Sequence, residues 1–318
     1  MTPTMSAYFT GREPVLRLSE IPVPVAGSDQ LLVRARAVAF NNADLKPSDD
    51  EHLAGYEFSG EIIAVGNERD AHRKGQRVAG TTPGAFAEYV LVHRRHVIPI
   101  PDSLSFEDAA TLPTALLTEH GALALANVST GDAVLLTAAT SSIGLVGVQI
   151  ARVLGASPVI ATTRTSQKRA LLERVGADAV VATDKDDLVD TVLGATGGDG
   201  VAAVLDHVAG DMIATTVPAT RVGGQIISVG RLSGNKATID LDALASRNVT
   251  IRAVSYGFND PDVIGDLLQA LRPKILPAIA DGRIRAVVDR VMPFADALAA
   301  LERLRSGQAE GKIVLTLD

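Results

Sequence analysis

Residues 135–147 read LLTAATSSIGLVG, and the fold of the second half of the chain turns on them. An apolar run is followed by a short polar turn and then by a helical stripe of Ile143, Val146, Ile150 and Leu154, with Gly155 placed to cap it. Strand, tight turn and helix N-terminus in that order suit a pyrophosphate, because free N–H groups and the helix dipole face the anion. A G-x-G-x-x-G fingerprint would place glycine at 139, 141 and 144, where Ala139, Ser141 and Gly144 stand. Gly144 still lets the helix pack close to the strand. Ser141 and Ser142 add hydroxyls to the backbone donors, and Ala139 adds one methyl group. The stretch reads as a serine-rich version of the turn, with an ordinary polar turn as the alternative. Thr140, Ser141, Ser142, Ile143 and Gly144 are the candidate phosphate-binding residues.

Outward from this turn the pattern alternates. Strands AVLLTA, PVIATT, DAVVAT, VAAVLDHV, QIISVG and NVTIRAVSYG are separated by helical segments, among them SQKRALLERV capped by Gly176 and stretches near 186–193 and 211–220. Six such strands predict a parallel, doubly wound α/β sheet made of two mononucleotide-binding halves. A further helix is expected near 261–281.

Residues 1–110 have a different texture of short strands punctuated by turn residues, which suggests a barrel-like β domain. LLVRARAVAF alternates partly, with Arg34 and Arg36 on one face and Val33, Ala35 and Ala37 on the other. Ser105 is a predicted N-cap. The last segment, from about residue 282, returns to strand–helix–strand and has no place in the doubly wound sheet. The expected division is therefore 1–118 with 282–318, and 119–281.

The residues just past the second strand of the sheet bear on the cofactor. A site for NAD usually carries an acid about 20 residues past the turn, to hold the ribose 2′-hydroxyl. Here ATTRTSQKR offers Thr163, Arg164 and Lys168 and no acid. Hydroxyls and cations match the 2′-phosphate of NADPH. The alternative is a solvated basic helix start, which would oppose the helix dipole.

Composition narrows the classes further. The 318 residues carry a formal charge of −7, which argues against nucleic-acid or anionic-membrane partners. There is no cysteine, which excludes disulfides, thiolate catalysis and sulfur-ligated zinc. The N-terminus lacks a signal-peptide pattern and no apolar run reaches membrane-spanning length, so a soluble cytoplasmic location is expected. His93 and His96 are close enough in sequence to share a metal, but LVHRRHVIPIP reads better as a surface strand and turn. No metal ligand is assigned.

Taken in order, the motifs resemble the zinc-free quinone oxidoreductase branch of the medium-chain dehydrogenase/reductase superfamily. The carrying elements are an N-x-x-D at Asn41 and Asp44, LAGYEFSGEIIAVG, GQRVAG, GAFAEYVLV, PDSLSFEDAATLPTALLT, GDAVLLTAATSSIGLVGVQIARVLGA, VLDHVAG, GGQIISVG and GKIVL. The resemblance implies a GroES-like β domain and a Rossmann domain, with the nicotinamide in the cleft between them. It places Asn41 and Thr118 near the nicotinamide, and His207, Val208, Val229, Gly230 and Arg231 along the cofactor. It also implies a homodimer joined through the last Rossmann strand.

One departure is chemically informative. Tyr56 stands where zinc alcohol dehydrogenases have a histidine ligand in their G-H-E element. Without a Lewis acid to stabilise an alkoxide, the expected chemistry is hydride delivery from NADPH to an already electrophilic carbon, in a quinone or an α,β-unsaturated carbonyl. Asn41, Tyr56 and Thr118 are the catalytic candidates, with Tyr56 a donor or proton source and Asp44 and Glu57 structural. The residues KPSDDEHLAG form a shorter linker than is usual in the family. Two other readings stand beside this one: an enoyl-thioester reductase of fatty-acid or polyketide type, and an NADPH-binding sensor or interaction protein without turnover.

Overall fold

The turn at 137–141 joins the strand Val134–Leu136 to the helix Ser142–Val153. Ser141 caps that helix, its hydroxyl accepting the Gly144 N–H at 3.2 Å, and the chain leaves it through Gly155 at φ +91°. The computed structural model describes residues 3–13, 15–256, 258 and 260–318. The chain divides into two units, Met1–Thr114 with Gly257–Ala270 and Ala286–Asp318, and Ala115–Tyr256 with Leu271–Arg285.

The first unit opens with β1 (Thr4–Thr10), β2 (Arg17–Pro22), β3 (Gln30–Ala39), β4 (His52–Leu53), β5 (Glu57–Val65), β6 (Arg77–Thr81), β7 (Tyr89–His93) and β8 (Val97–Pro99). The second contains β9 (Val134–Leu136), β10 (Val159–Thr163), β11 (Ala179–Ala182), β12 (Val201–Asp206), β13 (Thr220–Ser228) and β14 (Thr250–Ala253). The chain then returns to the first unit with β15 (Val288–Pro293) and β16 (Lys312–Thr316).

In the second unit the strand order is β11-β10-β9-β12-β13-β14, and every pairing is parallel. This is the doubly wound order, in which chain direction across the sheet reverses between β9 and β12. β9, β10 and β12 are buried end to end, as parallel strands covered on both faces must be. Leu135, Ile160, Val204 and Ile226 form the centre of one core layer.

The first unit is the expected β domain. Its larger sheet runs β15-β16-β3-β5-β6-β8, with β7 also paired to β3. On β3, Val33, Ala35 and Ala37 are buried and Arg34 is exposed, matching the alternation in the sequence. β16 pairs antiparallel with β3, so the C-terminal segment completes this sheet. Phe40, Phe58 and Phe86 fill the interior, and the rings of Phe40 and Phe86 meet edge-on at 4.7 Å.

Three local readings are corrected. The helix expected over 261–281 is two helices, Pro261–Ala270 and Ile275–Ala280, because Pro273 cannot continue a helical hydrogen-bond ladder. The first of them packs with the β domain, where Arg95 pairs with both Asp262 and Asp266 and the His96 ring bonds the Pro261 carbonyl at 2.9 Å. The strand NVTIRAVSYG narrows to β14, and its last residue, Gly257, lies outside the described residues. Among the described residues, no helix is long and apolar enough to cross a membrane.

Candidate functional site

In the second unit most of the residues singled out from sequence gather at the carboxyl ends of the parallel strands. Thr140–Gly144 come after β9, Thr163 ends β10 with Arg164 and Lys168 beyond it, Val208 lies past β12, and Val229, Gly230 and Arg231 lie past β13. This edge beside the reversal in strand order is where open α/β sheets bind ligands.

The turn after β9 packs as closely as the glycine fingerprint would allow. A Cβ on Gly144 would lie 2.8 Å from the Ala139 Cα, so only glycine lets the helix sit this close to the turn. Ala138 takes φ +44° to make the bend. Its N–H goes to the Thr162 hydroxyl at 2.9 Å, and the Ser141 N–H goes to the Ala138 carbonyl at 2.9 Å. With Gly144 capped by Ser141, the N–H groups of Ser142 and Ile143 have no acceptor among the described residues. A pyrophosphate at this helix start would accept both.

Past β10, the Arg164 side chain is exposed and has no ion-pair or hydrogen-bond partner among the described residues. Lys168 is half-buried one turn further on. The Thr163 hydroxyl and the Thr165 backbone hold this loop together at 3.3–3.4 Å. An unspent guanidinium here suits a 2′-phosphate. One acid is also present, since Asp184 accepts the Ser166 N–H at 3.3 Å.

His207 follows β12 directly, at the carboxyl end along which the resemblance places the cofactor. Its ring is buried and both nitrogens are taken, Nδ1 by the Thr137 carbonyl at 2.8 Å and Nε2 by Glu119 Oε1 at 2.7 Å. The imidazole is therefore turned into the protein. Burial alone would push its pKa down. The Glu119 charge and hydrogen bond, the Thr137 carbonyl and Asp206 outweigh that, so the pKa stands above the ordinary value.

Asp206, at the end of β12, is the hub of the surrounding loops. It accepts the Thr137 hydroxyl at 2.6 Å and the N–H groups of Val208 and Ala209 at 3.1 and 2.8 Å. The backbone of Gly230 lies so close to His207 that a Cβ would stand 2.4 Å from its carbonyl oxygen. Glycine at 230 is thus required by packing, whatever it contacts in a complex.

Glu119 belongs to a π-helical turn, Leu116–His120, that also carries the candidate Thr118. Such turns are uncommon and recur at functional sites. Thr118 is half-buried, and its hydroxyl has no partner among the described residues. No local pattern marks Glu119 in the sequence, because its partner His207 lies 88 residues away.

In the first unit, Asn41 is not available to a cofactor or substrate. Its amide donates to Glu57 Oε1 at 2.9 Å and its oxygen accepts from Lys312 Nζ, so this buried side chain is committed to the protein. Lys312 also bonds Glu57 and the Phe40 carbonyl, and Glu57 Oε2 accepts the Thr114 N–H at 3.0 Å. Glu57 is structural, and Lys312, the lysine of the GKIVL element, is a buried cation. Asp44 accepts the Asn41 N–H at 2.7 Å, as a residue capping the turn should.

Tyr56 is half-buried beside this cluster, stacked on Phe258 with ring centroids 6.1 Å apart. Burial, and then the charge of Asp44, raise its phenol pKa above the usual tyrosine value. Its hydroxyl has no partner among the described residues.

A zinc ion does not fit these donors. Tyr56 replaces an imidazole with a phenol held in its protonated form. His93 and His96 have rings 4.9 Å apart, but His96 Nε2 donates to the Pro261 carbonyl and His93 Nδ1 accepts the Arg95 N–H at 3.4 Å. Among the described residues no group of three or more His, Asp or Glu could hold a metal.

Two family models match the chain: an alcohol dehydrogenase GroES-like domain over residues 27–102 and a zinc-binding dehydrogenase over residues 142–272. Together with the doubly wound order and the GroES-like sheet, they decide the family. The chain belongs to the medium-chain dehydrogenase/reductase superfamily.

Among curated superfamily relatives, a component of the phenolphthiocerol/phthiocerol polyketide synthase from Mycobacterium tuberculosis is 31% identical over 96% of this chain. The chain spans only 14% of that polypeptide. Prostaglandin reductase-3 from Bos taurus is 34% identical over 70% of this chain and 61% of its own length. Two mycobacterial structures, one a quinone oxidoreductase and one a protein complexed with NADPH, are each 29% identical with a TM-score of 0.85. Each match covers 98% of this chain and 100% of the other.

Proposed function

We propose that this chain transfers hydride from NADPH to an electrophilic carbon, in a quinone or an α,β-unsaturated carbonyl, without a metal ion. The observation that carries the cofactor choice is the Arg164 guanidinium past β10, which has no partner among the described residues and stands at the place where an NAD site carries an acid. The free N–H groups of Ser142 and Ile143 would hold the pyrophosphate, and Arg164 and Lys168 the 2′-phosphate. When bound, the reduced nicotinamide supplies the hydride. The chain's own residues have then to orient the acceptor, stabilise the oxygen on which charge develops and supply one proton. Each unit offers one candidate donor whose hydroxyl has no partner among the described residues, Tyr56 in the first and Thr118 in the second. The names of the mycobacterial quinone oxidoreductase and the bovine prostaglandin reductase support the acceptor class.

A second reading, reduction of an enoyl thioester, is favoured by the polyketide synthase match over nearly the whole chain. Titration with NADPH and NADH, then turnover on a quinone, an enone and an enoyl thioester, separates these readings. Tight NADPH binding with quinone or enone turnover is the expected result. Preference for the thioester would establish the second reading, and binding without any turnover would favour a sensor.

We also propose a homodimer formed through β14. That strand is the edge of the six-stranded sheet, and Thr250, Arg252 and Ala253 on it are exposed. Open edges of this kind are usually paired or covered. Light scattering at micromolar concentration should give twice the chain mass; a monomer would refute the assignment.

A further inference from the structure

Among the described residues, four besides glycine take a positive φ: Asn127, Ala138, Ala209 and Asn248. Asparagine tolerates the left-handed region, whereas the Cβ of alanine is crowded there. Both alanines lie at carboxyl ends of the parallel strands, Ala138 past β9 and Ala209 past β12. These are the two strands between which the strand order reverses. Each alanine gives its N–H to a buried side chain, Ala138 to the Thr162 hydroxyl at 2.9 Å and Ala209 to Asp206 at 2.8 Å. Backbone strain of this kind persists only where the surroundings over-determine it, and it gathers at functional sites.

The bend at Ala138 is held from three sides. Before it, the Thr137 hydroxyl donates to Asp206 at 2.6 Å and accepts the His207 N–H at 2.9 Å. After it, the Ala139 N–H bonds the Thr162 carbonyl at 3.0 Å. Gly144 packs directly on Ala139, where a Cβ would lie 2.9 Å from the Ala139 carbonyl oxygen. Beside it stands Thr162 on β10, 2% exposed, with its hydroxyl on the Ala138 N–H. Residues 137 and 139 are thus anchored, and left-handed Ala138 is the joint between the strand and the helix start. Glycine would adopt this bend without crowding, whereas alanine needs a bond to hold it there.

We propose that Thr162 is a positioning residue for the dinucleotide. Its hydroxyl holds a turn with alanine and serine at the first two fingerprint positions in the shape that offers the Ser142 and Ile143 N–H groups to pyrophosphate. This rests on the dinucleotide reading above. Thr162 acts through the Ala138 backbone, and the pyrophosphate is common to NADPH and NADH. Its loss should therefore weaken both nucleotides alike, unlike the loss of Arg164 two residues later.

The test is titration of the whole protein with NADPH and with NADH. Thr162→Val keeps the shape of the side chain and removes the acceptor. It should weaken both nucleotides about tenfold, as one buried N–H left without a partner should. Thr162→Ser keeps the acceptor and should bind both within about twofold of the wild type. Adding Ala138→Gly to Thr162→Val should recover most of the loss, because glycine takes the bend unaided. A packing defect at residue 162 would not be recovered in that way. Amide exchange on the wild type without nucleotide decides even if Thr162→Val does not fold: Ala138 should be protected while Ser142 and Ile143 exchange freely. Undiminished affinity in Thr162→Val, a loss confined to NADPH, no recovery with glycine, or an unprotected Ala138 amide overturns the assignment. A wild type that binds neither nucleotide refutes the dinucleotide reading itself, and the assignment falls with it.

Discussion

Replacing Glu119 by alanine is expected to destabilise the nucleotide-binding unit by about 3–5 kcal/mol, the usual cost of removing one partner of a buried charged pair. The His207 ring is 2% exposed and its Nδ1 must donate to the Thr137 carbonyl, so Nε2 faces Glu119 and nothing else. Without the carboxylate, Nε2 is left buried and unpaired beside an empty volume. Glu119 also sets the identity of Gly147, where a Cβ would stand 2.5 Å from Glu119 Oε2. Hydrogen exchange at the amides of β9 and β12 reads the loss locally, without requiring both units to unfold together. Unchanged protection in Glu119→Ala would refute the account.

The same pair gives a pH signature whose sign is set by the raised His207 pKa. A group with a raised folded pKa contributes stability that is fully present below its unfolded value, about 6.5, and fades as pH rises through the folded value. Glu119→Gln removes that contribution, so the gap between wild type and variant should be widest near pH 6. It should narrow toward alkaline pH.

These two residues also show what the sequence could and could not reveal. The turn at 137–144 was legible because its logic is local: a strand, a capping Ser141, a close-packed Gly144 and a stripe at helical spacing lie within one short window. The strand order was legible because each β/α unit repeats the same pattern. The roles of Asn41 and His207 were not, because the groups that occupy them are far away in the chain. Glu57 is 16 residues and Lys312 271 residues from Asn41, and Glu119 is 88 residues from His207. A motif position shared with a family says where a residue sits, whereas the direction its side chain faces is set by such distant partners. The single helix expected over 261–281 fails for a local cause, the break at Pro273, where the apolar pattern on either side outweighed the proline.

Replacing Arg164 and Lys168 together by alanine is expected to weaken NADPH binding on the order of 100-fold while changing NADH binding only a few-fold. Each cation that reaches a phosphate makes a charge-assisted contact worth roughly 1.5–3 kcal/mol, and tenfold in affinity is about 1.4 kcal/mol. Arg164 should carry the larger part, because its guanidinium has no competing partner among the described residues and can meet a phosphate with two donors. NADH has a hydroxyl where NADPH has the phosphate, so it cannot register the loss of either charge. Asp184, which holds the Ser166 N–H in the same loop, provides the opposite control. Its carboxylate disfavours a dianion nearby, so Asp184→Asn should raise the NADPH-to-NADH affinity ratio that the double variant lowers. Fluorescence titration of the wild type and both variants with each nucleotide measures that ratio. Equal losses for the two nucleotides in the double variant would show that the cations stabilise the loop and do not read the 2′-phosphate.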